Sequence, residues 1–236
     1  GVPEVNIAWF LQDGAWPDKP NFQFRRLNSN YQESEISKHI NLNGYTYDRI
    51  SEKNLLSSNI SGNKLNIENA SYQALLVTNL KHTSPSTLRK ILALADAGLK
   101  VIFIGDFPQR ATGLTNFKIK DTEIVRYVEK ISKLVFQLND THDLANTLKD
   151  LNIDPLITLL DKDKNYFRSA TRSCGSHKII YFFNDSYEAQ KKFFYLNKSF
   201  KDIKILDPFD GAIDEFSYRN FEENLTISIE GAKQKY

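Results

Sequence analysis

The sequence predicts an α/β protein in which a mostly parallel sheet with covering helices is followed by a small antiparallel β-sandwich. Over the first two thirds of the 236 residues, short apolar runs alternate with amphipathic segments of helical period, which is typical of parallel sheets. From about Pro155 onward, short β-type runs follow one another between turn residues, with no helix-period segment among them. We therefore predict an α/β domain at residues 1–160 and a β-sandwich domain at residues 161–236.

The α/β part begins with a strand, a long loop, a helix and a second strand. The run NIAWFL, residues 6–11, is the first strand. Prolines, a glycine and asparagines exclude regular structure over most of residues 12–31. A helix closed by Gly44 is predicted at residues 33–44, and the run YTYDRIS, residues 45–51, is predicted as the second strand.

Three short segments lead to the middle of the chain. KNLLSS, residues 53–58, is predicted as a short helical piece, and NKLNIEN, residues 63–69, as a short strand or turn. YQALLVTNL, residues 72–80, is a continuous apolar run and is predicted as the third, buried strand.

The clearest local signal is the helix and strand of TSPSTLRKILALADAGLKVIFIG. Ser84 is the predicted N-cap, with Pro85 at the first helical position. One helix face carries Leu88, Ile91, Leu92 and Ala95. Gly98 ends the helix and a strand begins two residues later, a return that is right-handed in nearly all parallel pairs. Amphipathic helices are predicted next at residues 121–135 and 141–152.

The sandwich prediction depends on six short runs. They are LITLL, YFRSATRS, KIIYFFND, AQKKFFYLN, IKILD and NLTISIEG. Turn residues such as Asn-Asp-Ser and Asp-Gly separate them. No Gly/Ser-rich linker precedes them, so we expect the two domains to pack together.

Composition argues against several kinds of partner. The net charge is only +2 and no Lys/Arg-rich run is present, which argues against nucleic acid, and no apolar run is long enough to cross a membrane. The single cysteine, Cys174, excludes an internal disulfide and a Cys-rich metal site. The four histidines are scattered without metal-ligand spacing. We predict no cofactor and no metal, and a periplasmic or extracellular location.

The stretch KVIFIGDFPQRATG, residues 100–113, occupies the position of a candidate active site. A nucleophile elbow needs a Cys or Ser on a sharp turn with a helix directly behind it, whereas this turn carries Asp106 and is followed by Pro108. The spaced glycines of a phosphate-binding loop are also missing. Asp106 remains a candidate for binding a sugar hydroxyl or a cation, with a cap of the following turn as the alternative.

The long first loop supplies the other candidate binding residues. It contains Trp16, Phe22 and Phe24, followed directly by Arg25 and Arg26. Exposed aromatic faces bind the apolar surface of sugar rings, and an adjacent guanidinium can fix hydroxyls or carboxylates. The alternative is that these aromatic side chains pin the loop onto the sheet or onto a neighbouring domain.

The order of the predicted strands resembles class I glutamine-amidotransferase-like domains or a flavodoxin-like topology. In the amidotransferases a nucleophilic Cys follows the strand that corresponds to Val101 to Ile104, and this chain has neither Cys nor Ser there. Cys174 lies in the β-rich region, where a small, partly buried side chain is the simplest interpretation. A degenerate amidotransferase-like enzyme that uses Asp106 or Cys174 is the least favoured hypothesis.

A longer series of motifs resembles the C-terminal portion of α-L-rhamnosidase-like glycoside hydrolases, family 106 and its relatives. The series covers roughly residues 40 to 215 and includes GYTYDRISEKNL, TSPSTLRKILALADAG, KIIYFFND and ILDPFDGAI. Where the family usually has an aromatic residue before the Asp-Pro pair, this chain has Leu206.

This resemblance implies an accessory role. In those enzymes the catalytic carboxylates belong to an N-terminal (β/α) barrel, so no catalytic residue is carried over to this chain. The expected function is a non-catalytic accessory region that braces the barrel, on the same polypeptide or another subunit, and could line its substrate cleft. The alternative is a stand-alone carbohydrate-binding module.

Overall fold

The computed structural model describes residues 1–12, 35–160, 167–184, 190–197, 203–206, 211, 213–215, 219–221 and 224–231. In these residues the helices α1 to α5 are Glu35–Leu42, Glu52–Ser57, Pro85–Asp96, Phe117–Ile131 and Leu144–Asp150. The strands β1 to β10 are Val2–Glu4, Ile7–Phe10, Tyr47–Ile50, Asn59–Ser61, Lys64–Ile67, Ala70–Tyr72, Ala74–Thr78, His82–Thr83, Lys100–Ile104 and Arg110–Ala111. The strands β11 to β19 are Phe136–Leu138, Ile157–Leu159, Phe167–Cys174, His177–Asn184, Gln190–Leu196, Lys204–Leu206, Ile213–Glu215, Arg219–Phe221 and Asn224–Gly231.

A parallel sheet of five strands forms the centre of the α/β part. Its spatial order is β3-β2-β7-β9-β11, and every neighbouring pair is parallel. Counted along the chain, these strands have the order 2-1-3-4-5, which is the order of flavodoxin-like doubly wound sheets. The predicted mixed α/β class with a mostly parallel sheet is confirmed.

Helices cover both faces of this sheet because its strands are apolar on both sides. Ala8 and Phe10 of β2 pack in one buried cluster with side chains from α2, α3 and α4. Ile7 and Trp9 point to the opposite face and pack with side chains from α1 and α5. Each fully buried Leu or Ile side chain contributes about 1.5–3 kcal/mol relative to exposure, so the two clusters supply most of the stability of this layer.

The helix α3 forms as the sequence predicts. Ser84 is its N-cap and the Oγ atom accepts a hydrogen bond from the backbone N–H of Thr87 at 3.1 Å. Gly98 ends the helix with a φ of +91°, which a residue with a side chain rarely adopts. Leu88 and Ile91 of the predicted apolar face are fully buried.

The helix α4 differs from its prediction at both ends. It runs from Phe117 to Ile131 instead of residues 121–135. After the helix, Phe136–Leu138 form β11, in which Phe136 lies opposite Ile102 of β9. This fifth parallel strand was not predicted, because Leu134 and Val135 continue the apolar pattern of the helix and hide the start of the strand.

A second sheet joins the first residues of the chain to the β-rich part. Its order is β14-β13-β1-β6-β5-β4, with β1 antiparallel to β13 and parallel to β6. Across it, the Lys178 ammonium forms an ion pair with the Glu4 carboxylate, and the Ser173 hydroxyl donates to the same carboxylate. Hydrogen bonds of this sheet therefore cross residue 160, where the sequence suggests a domain boundary. The division itself stays a prediction.

The β-rich part contains the strands that the sequence predicts. β12, β15, β19 and β18 form an antiparallel sheet, and β16 pairs with β17. Ile157, Phe194 and Leu196 of this sheet are buried and pack against Ile180 and Phe182 of β14. Of the helices in the described residues, none is long and apolar enough to cross a membrane.

Candidate functional site

The carboxyl edge of the parallel sheet is the candidate site, because ligands of such sheets collect there. β2 and β7 are neighbours at the centre, and the chain crosses from β2 to β3 on one side and from β7 to β9 on the other. The point where the strand order reverses therefore lies between Phe10 and Thr78. Residues that directly follow these strand ends are the ones that could contact a ligand.

The turn after β9 is held by hydrogen bonds to both neighbouring strands. Gly105 has a φ of +88°, and its N–H donates to the Leu138 carbonyl at 2.9 Å. The Gly105 carbonyl accepts from Nε2 of Gln137 at 3.0 Å. On the other side, the N–H of Asn79 donates to the Ile104 carbonyl at 3.3 Å. The backbone of this turn is thus fixed before any ligand arrives.

Asp106 is exposed at the tip of this turn. Its carboxylate has no hydrogen-bond or ion-pair partner among the described residues, so it does not cap the following turn. Phe107 turns inward onto Phe103, with ring centroids 4.9 Å apart, and Pro108 is buried. The next helix begins only at Phe117, which confirms that Pro108 is not followed by an immediate helix.

A buried aromatic group lies on the α1 side of the same edge. Trp9 lies inside the strand predicted at residues 6–11 and is 4% exposed, and its Nε1–H donates to the Thr78 hydroxyl at 2.9 Å. The Tyr47 ring meets the Trp9 ring edge-on at 5.3 Å, and the Arg49 guanidinium carbon lies 5.2 Å from the Trp9 ring centroid. This cluster was not predicted, although Tyr47 and Arg49 alternate along one strand face as such a contact requires.

Two helices begin at this edge and share one carboxylate. The Ser84 hydroxyl donates to Oε1 of Glu52 at 2.6 Å, and the Thr87 hydroxyl donates to the same oxygen. Glu52 opens α2 and Ser84 caps α3. A negative charge between two helix N-termini is favourable because both helix dipoles present their positive ends to it. The group therefore fixes α2 against α3.

Two of the four histidines come together at the ends of different elements. The rings of His39 in α1 and His142 before α5 are 6.3 Å apart and nearly perpendicular. The four histidines are scattered along the sequence, and their spacing carries no signal of this contact. Among the residues that the structure describes, no three His, Cys, Asp or Glu side chains group as a metal ion would need.

A small cavity lies at the opposite, amino edge of the sheet. Its volume is about 20 Å³, which is room for roughly one water molecule and not for a sugar ring. Gly44, Tyr45, Arg168 and Phe182 are among the residues that line it. Burial, together with the Asp154 carboxylate, raises the pKa of Tyr45 to about 12.

The remaining predicted residues lie in other parts of the chain. Trp16, Phe22, Arg25 and Arg26 lie in residues 13–34, outside the described residues. Cys174 is a free, half-buried thiol at the end of β13, far along the chain from the turn that holds Asp106.

Comparison with known proteins gives a fold and no family. No protein-family model matches this sequence, and no curated protein matches it either. Among solved structures, the chain is similar to a rhamnosidase from Novosphingobium sp. PP1Y, with a TM-score of 0.72 and 18% identity over 99% of this chain and 22% of that chain.

Two further solved structures are more distant glycoside hydrolases. Gan42B, a GH42 β-galactosidase from G. stearothermophilus, has a TM-score of 0.53 and 9% identity over 98% of this chain and 39% of its own. A GH42 exo-carrageenase from Bacteroides ovatus has a TM-score of 0.50 and 12% identity over 97% of this chain and 29% of its own. The chain thus has the fold of a part of glycoside hydrolase chains and spans well under half the length of each.

Proposed function

We propose that this chain is an accessory region of a larger, α-L-rhamnosidase-like glycoside hydrolase and does not carry the catalytic carboxylates itself. The supporting observation is that 99% of the chain superposes on only 22% of a rhamnosidase chain. A glycoside hydrolase needs two carboxyl groups facing each other across the scissile bond. At the carboxyl edge, Asp106 is exposed on its turn, whereas the Glu52 carboxylate accepts hydrogen bonds from the Ser84 and Thr87 hydroxyls.

We further propose that the parallel sheet is amidotransferase-like and that the β-rich part is a small sandwich. The first proposal is supported by the 2-1-3-4-5 strand order and by the turn at Gly105, which follows the fourth strand. The second is supported by β14, whose Ile180 and Phe182 face Phe194 of the antiparallel sheet. Both units would then be rigid supports.

The partner in this proposal is a catalytic barrel, on the same polypeptide or on another subunit, and carbohydrate is a further candidate ligand. The turn at Gly105 and the shared Glu52 carboxylate suit a bracing role, because hydrogen bonds hold the turn to both neighbouring strands and the carboxylate joins α2 to α3. The segment with Trp16, Phe22, Arg25 and Arg26 is attached to the carboxyl edge through Gln12. We propose that it lines the substrate cleft. The periplasmic or extracellular location stays a prediction.

The test compares this 236-residue chain with the full-length gene product in the hydrolysis of an aryl α-L-rhamnoside. We expect turnover by the full-length product and none by the chain alone. In the full-length product, Asp106→Asn should leave kcat unchanged, and Trp16→Ala should raise KM. Phe117→Ala, at an exposed residue of α4, is the matched control for Trp16→Ala.

Turnover by the chain alone that is abolished in Asp106→Asn would overturn the proposal, because the chain would then carry its own catalytic acid. A full-length product that hydrolyses no glycoside would overturn it as well. Glycan binding by the isolated chain that disappears in Trp16→Ala, without any hydrolase in the full-length product, would establish the carbohydrate-binding module instead.

A further inference from the structure

The edge strand β14 presents an apolar row to solvent. Its residues alternate between exposed and half-buried, as expected for a strand with one covered face. We call the exposed apolar row the outer stripe: Ile179 is 57% exposed, Tyr181 51% and Phe183 40%. Ile180 and Phe182 point the other way and pack in the core of the β-rich part.

The outer stripe lacks the features that usually protect a sheet edge. Natural edge strands carry charged residues, Pro or bulges that prevent pairing with another chain. β14 is eight residues long and pairs only with β13 in the part of the chain that the structure describes. Its Lys178 points to the opposite face and is held in the ion pair with Glu4. A long apolar edge of this kind indicates a surface that a partner covers.

The neighbours of the stripe favour a protein partner over a glycan. Tyr181 lies opposite Ala170 and Ile179 lies opposite Arg172 on β13. Aromatic side chains and Arg are enriched in the buried centres of protein interfaces. A sugar platform stacks on aromatic rings, and Ile179, the most exposed member of the row, offers none.

The position of Gly1 indicates which protein part can reach the stripe. Val2 lies opposite Ser173 of β13, and the Arg172 guanidinium donates to the Gly1 carbonyl at 3.1 Å. Since β13 lies between β1 and β14, Gly1 is two strand spacings, about 10 Å, from the edge strand. A polypeptide joined ahead of Gly1 would emerge beside the stripe.

We infer that the outer stripe is the surface on which this chain docks against the catalytic portion that precedes it in the same polypeptide. This inference rests on the proposed function and adds the contact surface to it. This chain matches only 22% of the rhamnosidase chain. In a protein of that length, most of the polypeptide would be available to cover the outer stripe. The edge backbone of β14 and the three apolar side chains are its docking elements.

Hydroxyl-radical labelling tests the inference, because it reports the solvent exposure of individual aromatic side chains. We expect the labelling of Tyr181 and Phe183 to fall several-fold in the full-length product relative to the 236-residue chain, with Phe117 of α4 as the exposed reference. In the full-length product, the double variant Tyr181→Ser, Phe183→Ser should speed proteolysis ahead of Gly1 several-fold. The matched variant Phe117→Ser should not.

Four results would overturn the inference, and they point to different causes. An active, longer product in which both residues are labelled as strongly as in the 236-residue chain overturns the docking surface alone. A product without glycoside hydrolase activity overturns the proposed function with it. Protection that rises with concentration of the isolated chain, with a doubled mass in light scattering, assigns the stripe to a second copy. Protection by added oligosaccharide assigns it to a glycan.

Discussion

At the scale of single residues, Gly105 and Asp106 are neighbours with opposite sensitivities to substitution. Gly105→Ala should lower the free energy of unfolding by about 1–2 kcal/mol, because its φ of +88° is strained for any L side chain. An added Cβ would be in ordinary contact with Asn79, 3.5 Å away, so the backbone alone determines this cost. Asp106→Ala should change stability by less than about 0.5 kcal/mol. Urea unfolding of both variants measures the difference, and equal effects would contradict it.

Gly44 tests a close backbone contact in the same way. A Cβ added there would overlap the Ile157 carbonyl oxygen, and the φ is +77°. Gly62 has a φ of +57° and open space around an added Cβ. Gly62→Ala should therefore lower the free energy of unfolding by about 1 kcal/mol, and Gly44→Ala should lower it by about 3 kcal/mol. Urea unfolding measures both variants. The same loss of unfolding free energy in each would contradict this prediction, because the backbone after α1 could then move away from β12 at no cost.

Tyr45 and Tyr72 should ionise at a higher pH than a tyrosine with the ordinary pKa of 10.0. Burial and Asp154 raise the pKa of Tyr45 to about 12, and burial and Asp48 raise the pKa of Tyr72. Because the folded pKa of Tyr45 lies above its ordinary value of 10.0, the stabilisation is complete below pH 10 and is lost as the pH rises towards 12. Tyrosinate absorbance should show a late component that shrinks in Tyr45→Phe and in Tyr72→Phe. A late component of unchanged size in either variant would contradict the assignment.

Some residue roles could be predicted from the sequence and others could not. The position of Asp106 at a strand end and of Trp9 within a strand could be predicted, because each belongs to or follows an apolar run. The bond from Trp9 to Thr78 joins residues 69 positions apart, and it exists only because β2 and β7 are neighbours in the sheet. Strand order is not encoded locally, so no spacing in the chain indicates this contact.

At the scale of elements, α3 depends on its cap. Ser84→Ala removes the acceptor for the Thr87 N–H and one of the donors to Glu52, and it should cost about 1 kcal/mol in the free energy of unfolding. Ser132→Ala, at the exposed end of α4, is the matched control and should cost less than about 0.5 kcal/mol. Thermal or urea unfolding checks both. Equal losses of unfolding free energy in Ser84→Ala and Ser132→Ala would mean that the Ser84 cap does not stabilise α3.

The elements that were predicted well are those with their own local signals. α3 has a capping Ser, a Pro in the first turn and a terminal Gly within one stretch of sequence. β1, β6, β8 and β10 have only two or three residues each, too few for an alternating pattern. Such strands form because partner strands from distant parts of the chain offer hydrogen bonds, and that information lies outside the segment itself.

At the scale of the whole molecule, the hydrogen bonds across residue 160 predict how fragments behave. Co-expressed fragments 1–160 and 161–236 should co-purify, because β1 pairs with β13 and β12 pairs with β15. Deletion of residues 1–4 from the first fragment should weaken the association, since β13 then loses one of its two partners. Pull-down followed by circular dichroism measures this. Two folded fragments that do not associate would establish independent domains.

The central place of β1 also bears on how the protein is made. The strand β1 is completed on one side by Ala70–Tyr72 and on the other by Phe167–Cys174. Because Phe167–Cys174 is synthesised long after β1, one side of β1 stays unpaired until that segment has been translated. Pairing of such distant segments slows folding and exposes an edge to aggregation. The yield of soluble protein should therefore depend on translation speed and chaperones more than on the final stability of the fold.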